Sequence, residues 1–417
     1  MLSDEVLRQL QHLGVRRGGD LPAPAYREAS PQRSLPVEGR LVDTGDGTCF
    51  VVEGSYTLDH RHGHWPLGAF LQEELGALVP LAAPGDDFRP SPAGLAFLDI
   101  ETTGLSEGAG TYAFLVGLAR LDAEAVHLYQ VFMRSPAEER ALLQVVAGLL
   151  QGVDGLVTFN GRGFDLPILH SRYRMARLPL PWPEGPSGRA PRVHLDLLLP
   201  ARRLFRGRLD SCSLSSLEQH ILGVERSFLD IPGWRIPSVY HDYLRGADPG
   251  VLVPIFEHNA HDVLSMVTLA TGLARFLRDP FGEGGARHGQ EYFALGHLYE
   301  QQGDHQAAVA AYRAALLLAM PAPARERTWE RLSSLLKRDG SWTEAVEIWE
   351  ALVECPGGHP LYAYVELAKY YEHHHQNLER AESLILRAID EHGTCPQGED
   401  LEHRLWRVQQ KKSKRAT

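Results

Sequence analysis

Apolar and polar positions follow two different patterns along this chain, and the change falls near residue 285. Before it, short apolar runs alternate with helical stretches; after it, the periodicity is helical throughout. Residues 94–99, within GLAFLDIE, are apolar and end in carboxylates, which predicts a buried central strand with charge at its tip. Segments 111–121 and 126–132 predict antiparallel neighbours of that strand, 137–150 a helix, and 155–159 a further strand before the polar turn 160–163. A Pro/Gly-rich loop at 179–191 precedes another short strand, 193–199, containing Asp196. Strand, strand, strand, helix, strand, helix is the order of a mixed α/β sheet with helices on its faces.

The first 90 residues are irregular. A short helix near 6–13 gives way to Pro/Arg/Gly-rich sequence and then to a hairpin, whose arms 40–42 and 49–52 flank a turn at Asp46-Gly47 that tolerates positive φ. His60, His62 and His64 alternate beside Asp59, but alternation alone fixes no coordination geometry, so they read as surface or packing histidines. A Pro-rich stretch at 84–92 reads as a linker.

Beyond 285 the chain reads as helix pairs. Tyr292, Leu295, Gly296, Tyr299, Ala308, Tyr312 and Ala315 fit a tetratricopeptide register, which returns at Trp329–Leu352 and again at Tyr364–Ala388. All three units keep small residues where paired helices approach closely, and three repeats suffice to bury a continuous core. The expected division is 1–90 irregular, 91–280 the sheet domain, 286–397 three repeats, and 398–417 a basic tail.

At 417 residues the chain has room for two or three domains, and 44% hydrophobic with 23% charged residues is an ordinary globular composition. No window is apolar enough to span a bilayer and the first residues lack a signal peptide's apolar core, so a cytoplasmic protein without a membrane partner is expected. Cys49, Cys212, Cys355 and Cys395 lie far apart, which suggests neither a disulfide framework nor a zinc knuckle. The net charge of −11 argues against coating nucleic acid through bulk charge. Two basic runs remain: Arg202, Arg203, Arg206 and Arg208, and Arg172, Arg174 and Arg177. Each is either a phosphate contact or a solvated helix face.

Asp99 and Glu101 are spaced i, i+2, so their carboxylates leave one face of the strand and can share a hard cation such as Mg²⁺ or Mn²⁺. Alone, the pair more often marks a surface turn. It continues into Thr102-Thr103-Gly104-Leu105, and LDIETTGL resembles the first motif of the DnaQ-like DEDD 3′-5′ exonuclease superfamily, an RNase H-like fold. Asn160 to Asp165, within TFNGRGFDLPIL, resembles the second motif, and His258-Asn259-Ala260-His261-Asp262 the third. The spacing of four between His258 and Asp262 departs from the five usual in the superfamily's histidine branch. His261, adjacent to Asp262, would point about 100° away on a helix and is the poorer base. With SCSLSSLEQHILG and DIPGWRIPSVYHDYL, the chain is similar to the YprB-type subgroup, which joins such a nuclease to tetratricopeptide repeats and includes a mitomycin repair factor.

The resemblance implies an RNase H-like mixed sheet flanked by helices, followed by an all-α tetratricopeptide solenoid. It makes Asp99, Glu101, Asp165 and Asp262 the ligands of two metal ions, Mg²⁺ or Mn²⁺, with Asp99 bridging, and His258 the general base. Thr103, Gly104 and Leu105 would hold the terminal nucleotide, Asn160 and Phe164 would support the site, and Arg202 and Arg203 are candidates for substrate phosphates. The implied activity is 3′-5′ exonucleolytic cleavage in DNA repair, on DNA ahead of RNA, with a protein such as a helicase or other repair factor docked on the repeats. The competing readings are a structure-specific endonuclease or a ribonuclease of the same fold, and a non-catalytic adaptor, which would be expected to lack a metal ligand.

Overall fold

The computed structural model describes residues 34–83, 89–104, 110–182, 193–226, 230–354, 360–392 and 398–416. The helix expected near 6–13, Leu105, most of the Pro-rich stretch and of the 179–191 loop, Cys355 and Cys395 lie outside the described residues.

β1 (Arg40–Asp43), β2 (Thr48–Thr57), β3 (Leu95–Thr102), β4 (Ala113–Leu121), β5 (Ala125–Phe132), β6 (Gly155–Thr158) and β7 (His194–Asp196) form a seven-stranded sheet in the order β1-β2-β5-β4-β3-β6-β7. β3 pairs antiparallel with β4 and parallel with β6. A strand paired on both edges and covered on both faces must be apolar, which is why LAFL precedes Asp99. The sheet is mixed as expected, with one difference: residues 125–132 pair with β4 and not with β3 itself.

Helices α1 (Glu139–Leu149), α2 (Asp165–Met175), α3 (Leu198–Phe205), α4 (Ile236–Leu244) and α5 (Val253–Arg278) accompany the sheet. Ala96, Leu98 and Ile100 of β3 share one core cluster with Leu142 of α1, Leu169 of α2 and Tyr240 of α4. On the other face Phe97 meets Phe70 edge-on at 5.1 Å.

The hairpin placed in an irregular 1–90 region is part of the sheet: β2 pairs with β5 from Phe50 to Thr57, and Cys49 and Val51 lie in the core. The strand expected over 193–199 ends at Asp196, because that carboxylate accepts the Leu198 N–H at 3.1 Å as α3 begins. Arg172, grouped with possible phosphate contacts, is buried, paired with Glu139 and laid 3.9 Å over the Tyr112 ring.

The chain divides into two compact units, one running to Pro200 with Ser213–Ala274, the other comprising Ala201–Cys212 and Arg275–Thr417. In the second, α6 (Gly289–Gln302), α7 (His305–Leu316), α8 (Ala322–Arg338), α9 (Trp342–Glu354), α10 (Leu361–His373), α11 (Leu378–His392) and α12 (Gly398–Ala416) follow in succession, each packed on the next. Ala308, Ala345 and Ala381 are fully buried. A Cβ on Gly296 would stand 2.5 Å from the Tyr312 ring, so only glycine lets α6 and α7 approach this closely. The segment 398–417 is not a tail: α12 packs on α11 and buries Leu401 and Val408.

Candidate active site

β3 carries Asp99 and Glu101 to its C-terminal end on one face, just before a register shift between Glu101 and Thr102. α5 crosses that face and brings His258, Asn259 and Asp262. The Asn259 amide donates to Asp99 Oδ2 at 2.9 Å and receives a bond from Gln130 Nε2 at 3.0 Å. The strand residue beside Asp99 is Gly117, where a Cβ would lie 2.3 Å from Asn259 Oδ1. Gly117→Ala should therefore push the Asn259 amide off Asp99. A bond to a charged group contributes about 1.5–3 kcal/mol, so turnover should fall roughly 10- to 100-fold while circular dichroism stays native.

Asp165 opens α2, where a carboxylate suits the helix N-terminus, and its Oδ1 accepts the Ile100 N–H at 3.2 Å. The preceding loop is fixed by Asp196, which accepts the N–H groups of Asn160 and Arg162 at 2.9 and 3.0 Å. Asn160 has φ 65°, a left-handed conformation that asparagine tolerates better than most side chains.

The carboxylates burden one another. Burial pushes Asp99 and Glu101 well above the usual carboxylate range, and Asp165 and Asp262 add their repulsion to each. Burial likewise raises Asp165 to about 7 despite two backbone N–H donors. Asp262 is raised by burial, although His258 and Arg226 both oppose the shift.

His258 stands among them. Its Nε2 lies 3.6 Å from Asp262 Oδ2 and 4.0 Å from Glu101 Oε1. Its Nδ1 lies 2.7 Å from Asp230 Oδ1 and 3.2 Å from Arg226 Nη1. A guanidinium only donates, so Nδ1 as an N–H can bond only Asp230, and that tautomer leaves the Nε2 lone pair facing the carboxylates. His261 turns away, its ring 4.8 Å from that of His62, which in turn bonds Ser265 Oγ at 2.8 Å. His62 is thus a packing residue.

Three functional candidates escaped the sequence reading. Arg226 reaches Asp262 Oδ1 at 2.6 Å and is anchored through two bonds, 2.6 and 2.9 Å, by Glu218, itself only 1% exposed. Asp230 orients His258. Glu218 and Asp230 lie inside SCSLSSLEQHILG and DIPGWRIPSVYHDYL, strings noted for resemblance alone; Arg226 lies between them.

Thr103 exchanges bonds with Tyr112 through both backbone and Oγ1, and its carbonyl lies 3.2 Å from His241 Nε2. The Gly104 carbonyl accepts from Thr102 Oγ1 at 2.7 Å. Phe164 packs against the core and Asn160 is exposed. Arg202 and Arg203 are exposed on α3 and belong to the second unit, whereas the carboxylates belong to the first.

Among the described residues no group of three or more His, Cys, Asp or Glu side chains is arranged to hold a metal ion. The donor chemistry nonetheless fits hard divalent cations: buried carboxylate oxygens that raise one another's pKa are the groups such an ion would neutralise.

A family model for the RNase_H superfamily matches residues 96–274, and members of that superfamily are typically nucleases that use divalent metals. The first unit is thus an RNase H-like domain. The chain is 31% identical over 355 residues to the uncharacterized protein YprB of Bacillus subtilis (strain 168), covering 83% of this chain and 81% of that protein. It belongs to the YprB family. Among solved structures it is similar to the family B DNA polymerase of the hyperthermophilic archaeon Pyrobaculum calidifontis, at 18% identity and a TM-score of 0.38, covering 54% of this chain and 30% of the polymerase. No helix of the described residues is long and apolar enough to cross a membrane.

Proposed function

We propose that this protein is a metal-dependent 3′-5′ exonuclease acting on DNA in repair. The observation that carries the reading is that Asp99, Asp165 and Asp262 lie close enough to Glu101 to raise its carboxyl, while the Nε2 of His258 faces Glu101 and Asp262 and its other nitrogen is held by Asp230. Two Mg²⁺ or Mn²⁺ ions held by the four carboxylates would stabilise the charge that builds on the entering and leaving oxygens of a phosphodiester. His258 takes the proton of the attacking water at Nε2, and Asp230 stabilises the imidazolium that results. Asn259 fixes the rotamer of Asp99. The 3′-5′ direction, the preference for DNA and the repair role rest on the resemblance of LDIETTGL and its partner motifs. The tetratricopeptide reading of α6 to α11 is supported by the buried small residues Ala308, Ala345 and Ala381.

Incubating the full chain and Mn²⁺ with a 5′-labelled single strand should give a ladder shortening from the 3′ end, and covalently closed circles should survive. Nicked circles would replace this reading with the endonuclease one. In the same assay His258→Ala should cost on the order of 10²- to 10⁴-fold, the usual contribution of a positioned base, and His261→Ala far less. Equal losses would remove His258 from the base role.

A further inference from the structure

Basic side chains gather at two cavities of the second unit, although the chain as a whole carries a net charge of −11. Between α8, the start of α9, α10 and α12 lies a cavity of about 330 Å³, to which Lys337, Lys369, Arg404 and Arg407 present their cations. A neighbouring cavity of about 350 Å³, sharing His373, adds Lys411, Lys414 and Arg415. Two carboxylates stand against these cations. Glu366 bridges Lys337 and Lys369 at 2.5 and 2.6 Å. Glu372, its side chain wholly buried, accepts from Arg404, Arg407 and Lys411 at 3.3, 2.8 and 2.7 Å. Burial alone would raise the Glu372 carboxyl, but the bonds from Arg407 and Lys411 outweigh it and hold it down at about 2. One ionised carboxylate thus fixes three cations in place without cancelling them.

The wall of the first cavity is aromatic. His374 lies 4.0 Å from Trp342, and Tyr370 lies 6.0 Å from each of them, nearly parallel to His374 at 13° and to Trp342 at 26°. Lys337 Nζ sits 5.9 Å over the Trp342 ring. Cations in a groove beside stacked rings are what a single-stranded nucleic acid requires, because phosphates follow the charge and bases stack on the π-faces. An acidic protein segment would use the cations but gain little from the rings.

We propose that this groove binds single-stranded nucleic acid through its backbone phosphates and through base stacking on Trp342, Tyr370 and His374. The inference does not depend on the nuclease reading, since binding is measurable where no cleavage occurs. The test is fluorescence anisotropy of fluorescein-labelled oligothymidylate with the full chain in EDTA, across a salt series. Wild type should bind with an affinity that falls steeply with salt. Trp342→Ala should raise Kd about fivefold or more, the effect of losing one stacked base. Lys369→Glu should raise Kd and flatten the salt dependence by roughly one phosphate contact, a slope change of about 0.7. Circular dichroism melting confirms that each variant is folded, and Lys414→Glu at the exposed end of α12 provides a second charge reversal should Lys369→Glu unfold. The proposal is overturned if wild type does not bind, if the folded variants bind as wild type does, or if a polyglutamate peptide displaces the oligonucleotide at equal concentration, which would make the groove a dock for acidic protein.

Discussion

Asp99→Asn should abolish phosphodiester cleavage and leave the protein folded. The substitution keeps the side-chain volume and an oxygen that accepts from Asn259 Nδ2, so the link between β3 and α5 survives. What it removes is a charge facing Asp165 and Asp262. If the cations held there contribute several kcal/mol to the transition state, the rate should drop on the order of 10³-fold or more. Turnover of a labelled oligonucleotide in Mn²⁺, with a melting curve of the same sample, checks both halves of the expectation. A rate within tenfold of wild type would remove Asp99 from the reaction.

The second large effect is on stability. The Asp165 carboxyl is raised from its ordinary value of 3.8 to about 7 by burial. A carboxyl whose pKa is higher in the folded than in the unfolded chain favours folding while protonated; that contribution is complete below 3.8 and is lost as pH rises through about 7. Asp99, Glu101 and Asp262 shift in the same direction. In chelator the Tm should therefore fall between about pH 4 and pH 7, and Mn²⁺ at pH 8 should restore it by neutralising the ionised cluster. For a domain of this size the loss should amount to several degrees of Tm. Asp165→Asn should flatten the pH dependence and abolish the Mn²⁺ effect. A Tm independent of both pH and Mn²⁺ would show that the four groups do not act as one cluster.

How far the sequence revealed this site depended on how local each signal was. Asp99 and Glu101 were legible from period-two geometry at the end of an apolar run. Asp165 and Asp262 are distant in sequence and became visible only through motifs. Glu218, Arg226 and Asp230 carry no local signal of their own, and only the packing of α5 against that segment buries their bonds. The pairing of β2 with β5 spans too much sequence for any local rule to propose. The helix at 398–416 is a different case: Leu401, Leu405 and Val408 already carry helical spacing, masked by the surrounding lysines and arginines.

The most direct test of the central claim is one cleavage assay with a 5′-labelled oligonucleotide, run on wild type and Asp262→Asn, each in Mn²⁺ and in excess EDTA. Because Asp262 is the carboxylate that α5 brings to those of β3, cleavage should occur only with wild type in Mn²⁺. Wild-type cleavage that persists unchanged in EDTA, or an Asp262→Asn variant that cuts as wild type does, would contradict a carboxylate-held metal centre.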